Sequence, residues 1–242
     1  WASGKRSRLT DKFDQEYPYN PDSAFNVSVE GTYYRYQYER IIKERRIRPV
    51  PYDSRYPVFA IFDLGMNDKM AINFTQVIEG VPKIILEYSN NGQRIEYYVN
   101  IMRSLPFPIQ MTYLPHDANV QDMSTGRTRI EEFRRLGVVC QLLPRLPIQD
   151  GIDAARQYLD VVEIDSQCIG TIGAVQNYRQ KFDKRLQVFM VTPEHDDHSH
   201  YADVVRYSAL ALTYHKVRLS VTPDMETRYN RAVAEQTQGA AL

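Results

Sequence analysis

The chain has 242 residues, 43% hydrophobic and 12% aromatic, enough to bury one sizeable core with a small appendage. Its 30 Lys and Arg balance 30 Asp and Glu, which argues against an autonomous, tight duplex binder, because such proteins carry a basic excess that releases counterions from phosphates. No stretch approaches the roughly 18 apolar residues that span a bilayer, and the basic start WASGKRSRLTDKF has no apolar run behind it, so the chain reads as soluble and intracellular.

Residues 1–52 are dense in Tyr, Arg and Pro without a clean period and read as an irregular lead-in or linker. Within them YYRYQYERIIKERR predicts a short helix. Lys43, Arg45, Arg46 and Arg48 at its end form either a solvated basic face or a phosphate contact. A main domain is expected over 53–220. The run VFAIFDLG predicts a buried strand from its length, its aromatic and β-branched content and its flanking Pro and Gly. MAINFTQVIEG and VPKIILEYSNNG predict two more strands, and the short link between them implies an antiparallel hairpin.

Further on, Ile95, Tyr98, Val99 and Met102 recur at helical spacing, so RIEYYVNIMRSL predicts an amphipathic helix. IQMTYLPHDA follows as a fourth strand. STGRTRIEEFRRLG predicts a helix opened by a Ser or Thr cap and closed by Gly137. VVCQLLP predicts a fifth strand, IDAARQYLDVVEI a helix, KRLQVFMVTP a short extended piece and HSHYADVVRYSALALTYHKV a long final helix. The tail over 221–242 loses the apolar pattern and reads as mobile. This order describes a mixed α/β sheet flanked by helices. Cys140 and Cys168 lack any CxxC or Cys/His spacing and read as buried thiols.

Three acids fall at the ends of predicted elements: Asp63 in the first strand, Asp117 just past the fourth, and Asp203 early in the last helix. If the first and fourth strands are parallel neighbours, Asp63 and Asp117 share one crevice, and the last helix can deliver Asp203 to it. Clustered carboxylates repel unless protonated or metallated, and hard oxygen ligands suit Mg²⁺ or Mn²⁺. Two such ions roughly 3.5–4 Å apart activate water and stabilise the leaving oxygen in phosphodiester cleavage. Each acid has a plainer reading as well. For Asp63 that reading is the less favoured one, because it interrupts an apolar run where a charge is costly to bury without a partner. Asp117 suits a turn or helix cap, and Asp203 a solvent-facing helix position.

FDLGMNDKMAINFTQ, YLPHDA and HSHYADVVRYSALAL resemble, in order and spacing, the three acidic motifs of the nuclease half of tailed-phage terminase large subunits. The lead-in FDQEYPYNPDSAF and RIRPVPYDSRYPV is similar to the segment joining the packaging ATPase to that nuclease, so the resemblance covers most of the chain. It implies a ribonuclease-H-like fold and an endonuclease that cuts concatemeric duplex DNA with two Mg²⁺ or Mn²⁺ ions during genome packaging. Asp63, Asp117 and Asp203 match the acidic triad. Asp197 is the candidate auxiliary ligand, and Asp68 is a weaker fourth that equally suits an Asx-turn.

His116, His195, His198 and His200 flank these acids and read as groups that orient carboxylates, as phosphate contacts, or as plain loop residues. No Walker A loop occurs, so the resemblance implies a fragment whose ATPase domain lies elsewhere in the full-length chain. The implied partners are duplex DNA, that ATPase domain, the small terminase subunit and the portal, in the host cytoplasm. A junction resolvase or integrase-like enzyme of the same fold, and a non-catalytic portal-docking module, remain the alternatives.

Overall fold

The computed structural model describes residues 31–65, 69–121 and 126–214. Its elements begin with α1 (Arg35–Lys43), β1 (Ile47–Arg48), β2 (Val58–Asp63), β3 (Met70–Ile78), β4 (Val81–Asn90), α2 (Ile95–Ser104) and β5 (Ile109–Leu114). A short 3-10 helix (His116–Asn119) leads to α3 (Arg129–Arg135), β6 (Cys140–Leu142), α4 (Ile148–Leu159), β7 (Glu163–Asp165) and α5 (Ile169–Asn177). The chain then forms the separate hairpin of β8 (Gln180–Asp183) and β9 (Val188–Pro193), and α6 (Ser199–Tyr214).

Seven strands make one sheet in the order β1-β7-β4-β3-β2-β5-β6. The neighbours of β3 run antiparallel to it, and the remaining pairs are parallel. Glu79 and Gly80, with φ of 53° and 82°, close the β3–β4 turn in the left-handed geometry that two-residue hairpins need. Helices cover both faces, which is why β2 reads as an unbroken apolar run. Successive side chains of a strand point to opposite faces. Val58, Ala60 and Phe62 accordingly join the core under α2 and α3, whereas Phe59 and Ile61 join the core under α1, α4, α5 and α6. Asp63 continues the second set, so the strand period alone aims it toward α6.

Helix α3 begins as its sequence predicts. Thr128 accepts from the Glu131 backbone while the Glu131 carboxylate accepts from the Thr128 backbone, a reciprocal cap. Gly137, at φ 77°, follows the end of the helix. Two elements depart from the sequence reading. The helix that includes Ile152 ends at Leu159, and the VVEI stretch instead supplies β7, which fills the gap between β4 and β1 with Ile164 fully buried. Helix α5 is not announced by its sequence, IGTIGAVQN. A distant carboxylate starts it: Glu87 on β4 accepts from the backbone N–H groups of Gly170 at 2.7 Å and Thr171 at 2.8 Å.

The stretch read as a lead-in packs into the same core from residue 33 onward. Tyr33, Tyr34 and Ile41 are buried there, and β1 pairs with β7. The loop that follows β1 is tied down by Gln76, whose side chain accepts from Asp53 N at 2.9 Å and donates to Asp53 O and Tyr56 O, each at 2.7 Å. Cys168 is buried and Cys140 is only partly so; both are free thiols. Among the described residues no helix is long and apolar enough to cross a membrane. Asp68 and the tail over 221–242 lie outside the described residues.

Candidate active site

Asp63 is the last residue of β2, and its side chain is only 14% exposed. An isolated carboxylate there would be costly, and the chain answers with a partner: His200 Nδ1 on α6 lies 3.2 Å from Asp63 Oδ2. Burial pushes the Asp63 carboxyl above the usual range. The His200 hydrogen bond opposes that shift, and the charges of Asp203 and Asp117 add to it.

Asp117 sits in the 3-10 helix that follows β5. Because β5 and β2 are parallel neighbours, their carboxyl ends share one edge of the sheet, the place where open α/β sheets bind ligands. Arg129 Nη1 approaches Asp117 Oδ2 at 3.9 Å and also reaches the Leu64 carbonyl at 3.5 Å, joining the two strand ends. Asp117 Oδ1 is buried without a hydrogen-bond partner, an acceptor left open toward a cation.

Asp203 lies on α6, which packs across β2 and β3. Arg206, one turn further, grips Asp203 Oδ1 through Nε and Nη2 and is itself only 12% exposed. Tyr207 feels all three acids. Burial pushes its hydroxyl up, and the charges of Asp203, Asp63 and Asp117 push it further. The structure therefore brings Asp63, Asp117 and Asp203 within electrostatic reach of one another. Asp197 is exposed on the turn before α6 and is not among the groups that act on Asp63.

Among the described residues, no three His, Cys, Asp or Glu side chains lie close enough together to hold a metal ion as they stand. Each acid instead has its own partner: Asp63 faces His200, Asp117 faces Arg129 and Asp203 pairs with Arg206. The donor set of three carboxylates, one with an unpartnered oxygen, nonetheless suits a hard divalent cation.

The flanking histidines separate by role. His200 is buried and touches Asp63, and His195 packs edge-on against it with ring centres 5.6 Å apart. His198 faces Gly173 of α5 instead. Burial holds His116 below the usual histidine range, Asp117 opposes that shift and Arg145 reinforces it. Arg129, Arg206 and Tyr207 were not singled out by the sequence reading. For Arg206 and Tyr207 a signal exists, because spacings of three and four residues from Asp203 place them on the same helix face. For Arg129 there is none, as its contact depends on how β2 meets β5.

No protein-family model matches the chain, and no curated protein matches its sequence. Solved structures do match. The large terminase of a thermophilic bacteriophage, in complex with ADP, aligns with a TM-score of 0.58 and 17% identity, over 74% of this chain and 45% of that one. The nuclease domain of the P22 large terminase aligns with a TM-score of 0.56 and 14% identity, over 79% of this chain and 99% of that domain. This chain has the fold of a large-terminase nuclease domain. The large terminase nuclease of the thermophilic phage G20c with bound magnesium aligns similarly, with a TM-score of 0.51 and 14% identity over 74% of this chain and 98% of that one. The expected ribonuclease-H-like mixed sheet flanked by helices is thus the observed fold. The chain spans less than half of the thermophilic-phage large terminase that was solved with ADP, 45% in that complex and 42% in another crystal structure of the same protein.

Proposed function

We propose that this chain is a metal-dependent endonuclease that hydrolyses phosphodiester bonds of duplex DNA during phage genome packaging. The observation that carries the reading is that three carboxylates, Asp63, Asp117 and Asp203, lie within electrostatic reach of one another at the carboxyl edge of β2 and β5. The fold shared with terminase nucleases supports it, as do the magnesium and cobalt bound by the G20c nuclease.

In this reading Asp63, Asp117 and Asp203 hold two Mg²⁺ or Mn²⁺ ions. Bound there, the ions supply a polarised phosphoryl oxygen and a water of lowered pKa. The chain's own groups do the positioning. His200 fixes the rotamer of Asp63, Arg206 that of Asp203, and Arg129 ties Asp117 to the end of β2. The turn carrying Asp197 would have to fold inward for that residue to serve as the auxiliary ligand.

We also place the chain within a longer one. Residues 1–52 would lead in from an ATPase domain, their part from residue 33 onward already packed into the nuclease core, 53–220 would form the rest of the nuclease and 221–242 a C-terminal tail. The small terminase subunit and the portal would be partners in the host cytoplasm. Nicking of supercoiled plasmid by the 242-residue chain in Mg²⁺ or Mn²⁺, stopped by chelation, is the expected result. A chain that never nicks would fit a non-catalytic docking module instead, and a strict need for a four-way junction would fit a resolvase.

A further inference from the structure

A cleft of about 560 Å³ lies between the loop after β6 and the outer face of α6. Its size falls within the roughly 300–1,000 Å³ of ligand-binding clefts. Arg206 and Tyr207 line it and also belong to the acidic site, so the cleft opens directly beside the three aspartates. His116, next to Asp117, lines the same wall. Gly151 of α4 packs beside Arg206, where a Cβ would make ordinary contact 3.4 Å from Nη1.

The charges on this wall differ in availability. Arg206 is mostly buried and committed to Asp203. Arg145 is exposed and, among the described residues, has no carboxylate partner. It differs in this from Arg206 and Arg129, the two arginines nearest the acids, each of which faces a carboxylate. Pro144 and Pro147 bracket Arg145 and stiffen its loop, so little backbone freedom is lost when the guanidinium meets a ligand. Arginine matches a phosphate with two parallel N–H donors. His116 adds a ring N–H donor on the same wall.

We propose that this cleft seats the phosphodiester backbone of one DNA strand beside the carboxylates, with Arg145 as its phosphate contact and His116 as a second donor. The inference rests on the nuclease reading, because it supplies the substrate for those carboxylates. It also resolves the neutral charge balance: one unpaired arginine beside the site positions a phosphate without making the whole surface attractive to DNA.

The test is fluorescence anisotropy of the whole chain on a labelled random-sequence duplex, in Ca²⁺, from about 0.05 to 0.2 M salt. A single phosphate contact makes affinity fall about 3.5-fold over that range, a slope of about 0.9 in the logarithmic plot. Arg145→Gln should lower affinity and flatten the plot by that amount, and Arg145→Lys should keep most of the slope. Arg45→Gln removes the same charge just before β1, at the opposite end of the sheet from the acids, and should change nothing. If Arg145→Gln binds like its parent, or Arg45→Gln loses as much, the cleft is not the seat. Plasmid cleavage read in parallel separates the two ideas. Loss of slope without cleavage by the parent would leave the DNA seat and remove the nuclease, whereas parental cleavage with unchanged binding in Arg145→Gln would do the reverse.

Discussion

His200 Nδ1 and Asp63 Oδ2 stand 3.2 Å apart although their residues are separated by 137 positions in the chain. The contact spans the end of β2 and the first turn of α6, and it joins a buried acid to a buried base. Its consequence is measurable, because burial still leaves the Asp63 carboxyl raised above its unfolded value. A raised carboxyl favours the folded state fully below the unfolded pKa, about 3.9, and that contribution is lost as pH rises through the folded pKa. At neutral pH, Asp63 in its charged form therefore opposes folding of the metal-free chain.

Asp63→Asn should accordingly abolish cleavage while raising the melting temperature of the metal-free chain above pH 7, on the order of 2–4 °C for each 1 kcal/mol regained. The gain should close as pH falls toward 4. With Mn²⁺ the order should invert, because only the parent gains from binding the ion. Thermal scans across pH, with and without Mn²⁺, read all three statements. A variant that melts below its parent at pH 8 without metal would contradict the account.

Asp117→Asn and Asp203→Asn should each reduce nicking nearly as much as Asp63→Asn, and the double variant should be little worse than either alone. Groups that build one site act as a unit, so their losses do not multiply. The same assay with Ca²⁺ should show weak nicking, as its longer, looser coordination suits closely spaced octahedral positions poorly. Independent, multiplicative losses would separate the carboxylates into different roles.

Arg206→Gln removes the cation from a pair that is mostly buried, leaving Asp203 uncompensated. Breaking such a pair from one side costs about 3–5 kcal/mol. Mn²⁺ should restore part of the lost stability by replacing the missing positive charge, whereas Arg206→Lys should keep the charge and lose the two-pronged grip. Calorimetry with and without Mn²⁺ provides the check. Equal melting of Arg206→Gln and its parent would show that the pair contributes nothing.

Gln76→Leu should destabilise the chain by about 1–3 kcal/mol without changing metal affinity, because the side chain satisfies backbone groups of Asp53 and Tyr56 that leucine cannot. Hydrogen exchange at Asp53 should rise first, since its N–H donates to Gln76. Unchanged exchange there would mean that the loop is held by other contacts.

The chain of residues determined a good deal by itself. Strand β2 follows from its apolar run, its flanking Pro and Gly set its ends, and its two-residue period aims Asp63 at the α6 face. The β3–β4 hairpin, the cap of α3 and the course of α6 are local properties, fixed within a few residues of each position. Tertiary structure alone decided the rest. Strand β7 exists because β4 and β1 leave an unpaired edge between them, and α5 begins where Glu87 from another strand satisfies its first N–H groups. The partners that face the acids belong to the same class. The Asp63–His200 and Asp117–Arg129 pairs form only where β2, β5, α3 and α6 come together, and no local pattern encodes a partner that distant folding brings near.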